Sequence, residues 1–211
     1  MENWVWAPRF HHGNRPKANA FVKSNEGFHF AVVKERLVAH SELFRDMFDG
    51  SRGNDDPIEM SETTMVLDII FSSCHVGSRE EADLLEKRID QSLSLSQALA
   101  CWDAMERYTL WQLHRSLKEK IIGVAHRDPF SVLKLGSKYD EQDLIDCAAQ
   151  NVMKSRLDWD VDTTLTKDWH SLSSDATAEL FRLAMNALKE FDAAAAAEKK
   201  EARVSEREWD W

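Results

Sequence analysis

The chain has 211 residues, of which 43% are apolar and 30% charged, and its 37 acidic against 27 basic side chains give a formal charge of −10. This is enough chain for one core of about 100 to 130 residues plus a helical extension without disulfide staples, and the composition is that of a soluble globular protein rather than a disordered or fibrous one. The acidic balance works against a direct grip on nucleic-acid phosphates, and no apolar run approaches the about 18 residues that span a bilayer.

The opening residues have neither an uninterrupted apolar core nor a small-residue cleavage pattern, so no secretory signal is read there. Cys74, Cys101 and Cys147 are widely spaced within apolar helical patterns, which suits buried free thiols in a reducing compartment better than a disulfide framework or a zinc site. The expected location is cytoplasm or nucleus.

Residues 1–20 contain Trp4, Trp6, Pro8, Gly13 and Pro16, which predict an irregular, extended arm with aromatic anchors. Between Phe21 and Val33 an apolar pair, a Ser-Asn-Glu-Gly break and a second apolar run predict a hairpin. A helical hairpin follows over 35–48. Leu37 and Val38 come first, Ser41 is the expected N-cap of the second helix, and Leu43, Phe44, Met47 and Phe48 form its apolar face. After a Gly/Asn/Asp-rich loop, Pro57 opens a strand from Ile58 to Met60, and Ser61 is the expected cap of a central helix carrying Val66, Leu67, Ile69, Ile70 and Phe71.

Residues 77–94 are strongly charged and predict a partly helical surface insertion begun by a Ser78–Glu81 capping box. A second box, Ser94–Gln97, opens a helix pair with Ala98, Cys101, Trp102 and Met105 in its first member and Leu113, Leu117 and Ile121 in its second. Pro129 begins a further unit with Val132, Leu133 and Leu135, then Asp140 as a cap, then Leu144, Ala148 and Val152. This unit echoes the preceding pair: each has an apolar helix, a tyrosine (Tyr108, Tyr139), a short break and a second amphipathic helix. Two occurrences do not make a solenoid. From Asp175 a last long helix is expected, running into a charged, Ala-rich tail over 193–211 that carries Trp209 and Trp211.

Taken in order, the strand with Phe30-Ala-Val-Val-Lys34, Leu37, Ser41-Glu-Leu-Phe44, Met47-Phe48, Pro57-Ile-Glu-Met60 and the apolar helix ending at Cys74-His-Val-Gly77 resemble the BTB/POZ domain family, particularly its fungal members. Ala104-Met-Glu-Arg-Tyr108 with Leu110 and Leu113 resembles a later helix of the family and its successor. The resemblance covers about residues 20 to 122, with a domain over 21–122 and a helical extension over 123–192. It implies an α/β (α+β) fold, a small mixed sheet flanked by helical hairpins, and a non-enzymatic adaptor that binds proteins and can self-associate. It also implies a substrate adaptor for a cullin-type ubiquitin ligase as a narrower role. The chain departs from the family pattern in three places: Val33 stands where a histidine is usual, residues 1–20 lack the exchanged amphipathic helix of many family dimers, and Ser51-Arg-Gly-Asn-Asp-Asp56 lacks the apolar-x-Glu element of cullin recruiters.

The interaction residues that follow from the resemblance are Phe44, Met47, Phe48, Asp49 and Tyr108; as members of apolar faces Met47, Phe48 and Tyr108 also suit a core, and exposure decides between the two. No metal, cofactor or small-molecule substrate is expected. Asp158, Asp160 and Asp162 imitate a calcium loop, but Thr163 and Trp169 stand where Gly and Glu are needed. His11 and His12 lack partners at ligand spacing. Cys74 and His75 are neighbours at a helix end without an orienting third group, and are read as a buried thiol beside a surface histidine. Two alternatives stay open: a transcription co-regulator using the same module, and a small enzyme using Cys74, Cys101 or the Glu80–Glu81 pair.

Overall fold

The computed structural model of the chain describes residues 4–14, 17–50 and 56–155. The aspartates at 158–162, the helix expected from Asp175 and the tail at 193–211 lie outside the described residues. Among the described residues the fold is mixed α and β, with eight α-helices and one three-stranded sheet, and the chain divides after Val124 into two compact units.

The first unit is built on strands β1 (Ala20–Lys23) and β2 (His29–Val32), which pair antiparallel with Phe21 opposite Ala31 and Val22 opposite Phe30. The Ser24 N–H donates to Phe28 O at 2.9 Å to close the turn, and Gly27 takes φ +85°, a conformation that L side chains resist. Strand β3 (Ile58–Glu59) runs parallel to β1 on its other side, giving the order β2-β1-β3. Every residue of β2 is buried.

Helices α1 (Lys34–His40) and α2 (Glu42–Gly50) form the hairpin. Ser41 alone joins them: its N–H donates to Leu37 O as α1 ends, and its Oγ accepts the Phe44 N–H as α2 begins. Helix α3 (Thr64–His75) buries eight residues, including Leu67, Ile70 and Phe71, as its nearly all-round apolarity requires. Its N-cap is Thr63, whose Oγ1 accepts the Val66 N–H, and not Ser61, as the sequence suggests. Ser61 instead meets Glu62 and Arg107, 46 residues further on.

The charged segment 77–94 forms a full helix, α4 (Arg79–Ser92), whose Leu85 and Ile89 are buried. Ser78 Oγ accepts the Glu81 N–H, and the Glu81 carboxylate accepts the N–H of Gly77. Helix α5 (Leu95–Tyr108) opens on the complete Ser94–Gln97 box and ends at Thr109, in the left-handed region at φ 56°. A 3₁₀ turn (Trp111–Leu113) leads to α6 (His114–Val124). The core lies where α2, α3 and α5 meet the sheet; Phe30, Phe44, Phe71, Trp102 and Met105 are all fully buried, each contributing about 1.5 to 3 kcal/mol of transfer free energy.

The N-terminal arm is docked by its tryptophans and, more deeply, by two residues that the sequence does not single out. Ala7 and Phe10 enter the core, while Trp4 and Trp6 stay half-buried over Phe21 and His29. The His29 N–H donates to Val5 O at 2.7 Å and Ala7 N–H to His29 O at 2.9 Å, so the arm covers the outer edge of β2.

In the second unit a 3₁₀ turn (Ala125–Arg127) precedes α7 (Pro129–Tyr139) and α8 (Gln142–Ser155). Asp128 caps α7 by accepting the Ser131 N–H, with Pro129 at the first helical position. Asp140 ends α7, with φ 57°, rather than capping α8: its N–H donates to Gly136 O. Gly136 allows the two helices to close up, since a Cβ there would lie 3.0 Å from Ile145 Cγ1 and 3.1 Å from Ile145 N.

Candidate interaction site

Of the five residues assigned to a partner surface, the structure places three in the core. Phe44, Phe48 and Tyr108 are 1%, 6% and 4% exposed. Phe44 on α2 stacks against Tyr108 on α5, ring centroids 4.7 Å apart and planes within 8°, and also meets Phe71 on α3 at 6.1 Å. These rings therefore fix α2 against α3 and α5 instead of offering themselves to a partner. Met47 is half-buried and Asp49 exposed. Leu43, which the sequence grouped with the apolar face, is 37% exposed.

The outward side of α2 thus presents Glu42, Leu43, Arg45, Asp46 and Asp49, with Met47 at its margin. Lys34 Nζ pairs with Asp49 at 3.2 Å and sits 5.7 Å from the centre of the Phe48 ring, so one amine ties the two ends of the hairpin. Other large apolar side chains stand in solvent in the first unit: Leu84 on α4 at 64% and Trp111 before α6 at 62%.

A polar cluster that the sequence reading does not identify lies behind this helix. The Glu62 side chain is only 6% exposed and is ion-paired to Arg107, which also reaches Ser61 Oγ at 3.2 Å. Burial in the first place, and the adjacent Glu62 carboxylate in the second, push the Tyr108 phenol well above its ordinary range. The signal available in the sequence was an acidic residue beside the first turn of an apolar helix, which local rules read as part of a cap.

Nucleophilic chemistry finds little support in the geometry. Burial pushes the thiols of Cys74 and Cys101 up to about 12, so neither holds an appreciable thiolate at neutral pH. His75 is not the surface histidine expected beside Cys74. It is 6% exposed, with Nδ1 2.7 Å from Phe71 O and Nε2 accepting the Val33 N–H at 3.1 Å, and these two bonds draw it inward. Glu80 is exposed and Glu81 is engaged at the start of α4. His11 and His12 are exposed, and among the described residues no group of three or more His, Cys, Asp or Glu side chains could hold a metal ion. No helix of the described residues is long and apolar enough to cross a membrane.

The chain matches no protein-family model and no curated protein.

Proposed function

We propose that the chain is a non-enzymatic protein-interaction module of BTB/POZ type, followed by a helical extension. The observation that carries this reading is the order of elements: two antiparallel strands, a helical hairpin, a strand parallel to the first and an apolar helix. That is the order in which the motifs resembling the family fall. The buried, protonated thiols and the doubly engaged His75 favour binding over catalysis.

In this reading Phe44, Phe48 and Tyr108 hold α2 in place, and a partner meets Leu43, Met47 and Asp49. Self-association or capture of a protein partner is the activity, with a cullin as the narrower candidate. Sedimentation of the full chain over a hundredfold range of concentration, with affinity capture from cell extract, tests it. A mass that rises with concentration, or a captured protein lost in Leu43→Asp and Met47→Glu variants, supports the reading. A monomer at every concentration that captures nothing sinks it, and failure to bind a purified cullin removes only the narrower version.

A further inference from the structure

His75 closes α3 with its ring buried between three parts of the first unit. A carbonyl can only accept, so the 2.7 Å contact to Phe71 O places the proton on Nδ1, and Nε2 is left to accept the Val33 N–H at 3.1 Å. The ring edge meets Phe10 of the arm at 5.6 Å and 76°, and the His75 carbonyl accepts from Arg36 of α1. One neutral imidazole therefore joins the β2–α1 junction, the end of α3 and the residue that anchors the arm.

A second proton has to go to Nε2, where the Val33 N–H already points. Two donors would then face each other in a site that is 6% exposed, and Val33 N–H would lose its partner. The charged side chains around the ring are of both signs. Arg9, Glu81 and Arg88 line one cavity beside His75, of about 190 Å³, and Lys17, Arg36 and Glu81 line a second, of about 510 Å³. The carboxylates nearby are already engaged: Glu81 by the Gly77 N–H at 2.6 Å and Asp68 of α3 by Arg88 at 3.0 Å. The cavities give water a route to the ring.

The other histidine under the arm, His29, holds it mainly by backbone bonds, and its ring stacks flat on Trp4 at 4.3 Å. Burial there also favours the neutral form. A charged His29 ring would keep its Nδ1 bond to Val5 O and gain cation–π attraction from the Trp4 face, so charging it breaks no bond to the arm.

We propose that His75 is an acid-sensitive latch for the N-terminal arm: protonation breaks its bond to Val33, removes one of the three ring contacts that seat Phe10 beside Phe30 and Phe71, and loosens residues 4–10 from the outer edge of β2. An imidazole released from these bonds takes up its proton near the ordinary histidine value of about 6.5, so the latch is fully closed above that pH and opens as pH falls below it. Uptake of one proton on opening makes the open population grow about tenfold per pH unit.

Hydrogen exchange of the full chain at pH 7.5 and 5.5, corrected for intrinsic rates, reads the latch at the amides of Ala7, Phe10 and His29. Their protection should fall about tenfold in the wild type, with α7 and α8 unchanged, and should become pH-independent in His75→Gln but not in His29→Gln. Unchanged protection in the wild type, or a fall that persists in His75→Gln, overturns the proposal. Should His75→Gln fail to fold, nitrogen NMR of the wild-type imidazole decides the matter. A neutral Nδ1–H ring that takes its proton in step with arm exposure supports the latch, and a ring that titrates while the arm stays protected refutes it.

Discussion

The α5–α6 and α7–α8 hairpins use the same ending and reach different geometries. Each first helix finishes on a tyrosine followed by a left-handed residue, Tyr108–Thr109 and Tyr139–Asp140. Three residues before the tyrosine, α5 carries the fully buried Met105 whereas α7 carries Gly136. Leu110 and a 3₁₀ turn then separate α5 from α6. The glycine instead admits Ile145, and α8 begins two residues after α7 ends its turn. Local stop signals thus set where each helix ends, and in α7–α8 the absence of a side chain at Gly136 sets how closely the next helix returns.

The largest difference expected between the two hairpins is chemical. The Cys101 thiol of α5 is held up at about 12 against an ordinary 9.0, as is Cys74 of α3. Three pH units lower its thiolate fraction about a thousandfold. Iodoacetamide at pH 8 should therefore modify the half-buried Cys147 of α8 first, with Cys74 and Cys101 reacting only on unfolding; mass spectrometry of the labelled chain checks this. The same shifts fix the alkaline behaviour. Groups whose folded value is raised, these thiols and the Tyr108 phenol, stabilise the fold fully below their unfolded values and lose that contribution as pH rises. Urea midpoints should fall above about pH 9.

Next come the tyrosines. Tyr108→Ala removes a buried ring stacked on Phe44 and should cost about 3 to 5 kcal/mol, whereas Tyr139→Ala, from a half-buried site where Lys138 lies over the ring, should cost about 1 kcal/mol. Equal losses in urea titrations would erase the contrast. Gly136→Ala places a Cβ against backbone and should destabilise α7–α8 by about 1 to 3 kcal/mol, read as lost helical exchange protection there. The smallest effect distinguishes the two caps. Thr109→Gly relieves a β-branched residue at φ 56° and should stabilise by about 1 kcal/mol in thermal unfolding. Asp140→Gly should gain only about a few tenths, because Asp visits that region more readily.

Signals that act within one turn of chain were legible in the sequence. Ser41, the Ser94–Gln97 box, the Ser24–Phe28 turn with Gly27 and the apolar faces of α3 and α5 all follow from neighbours three or four residues apart. Two of the misses, Ser61 and His75, have longer reach, and a third is a local ambiguity. Ser61 and Thr63 are both competent caps, and the choice falls to Thr63 while Ser61 meets Arg107. Asp140 sits between two helices, where one residue type can end the first or open the second. His75 is turned inward by Val33, 42 residues away, and no periodicity carries that information. The candidate site was legible as a helix, α2, yet not as a surface: amphipathic spacing grouped Leu43, Phe44, Met47 and Phe48, of which only Phe44 and Phe48 belong to the core.

The α1–α2 hairpin is fastened at both ends, by Ser41 at the turn and by Lys34 and Asp49 at the opening. Helices of seven and nine residues are too short to persist alone, but fastened in this way they behave as a stiff plate with no slack in its joint. Under the proposed function, a partner docking against Leu43 and Met47 would meet a surface whose shape is already set, so little ordering would be left to oppose association. Lengthening the Ser41 joint with a flexible insert would leave every contacting side chain in the sequence and still weaken the grip.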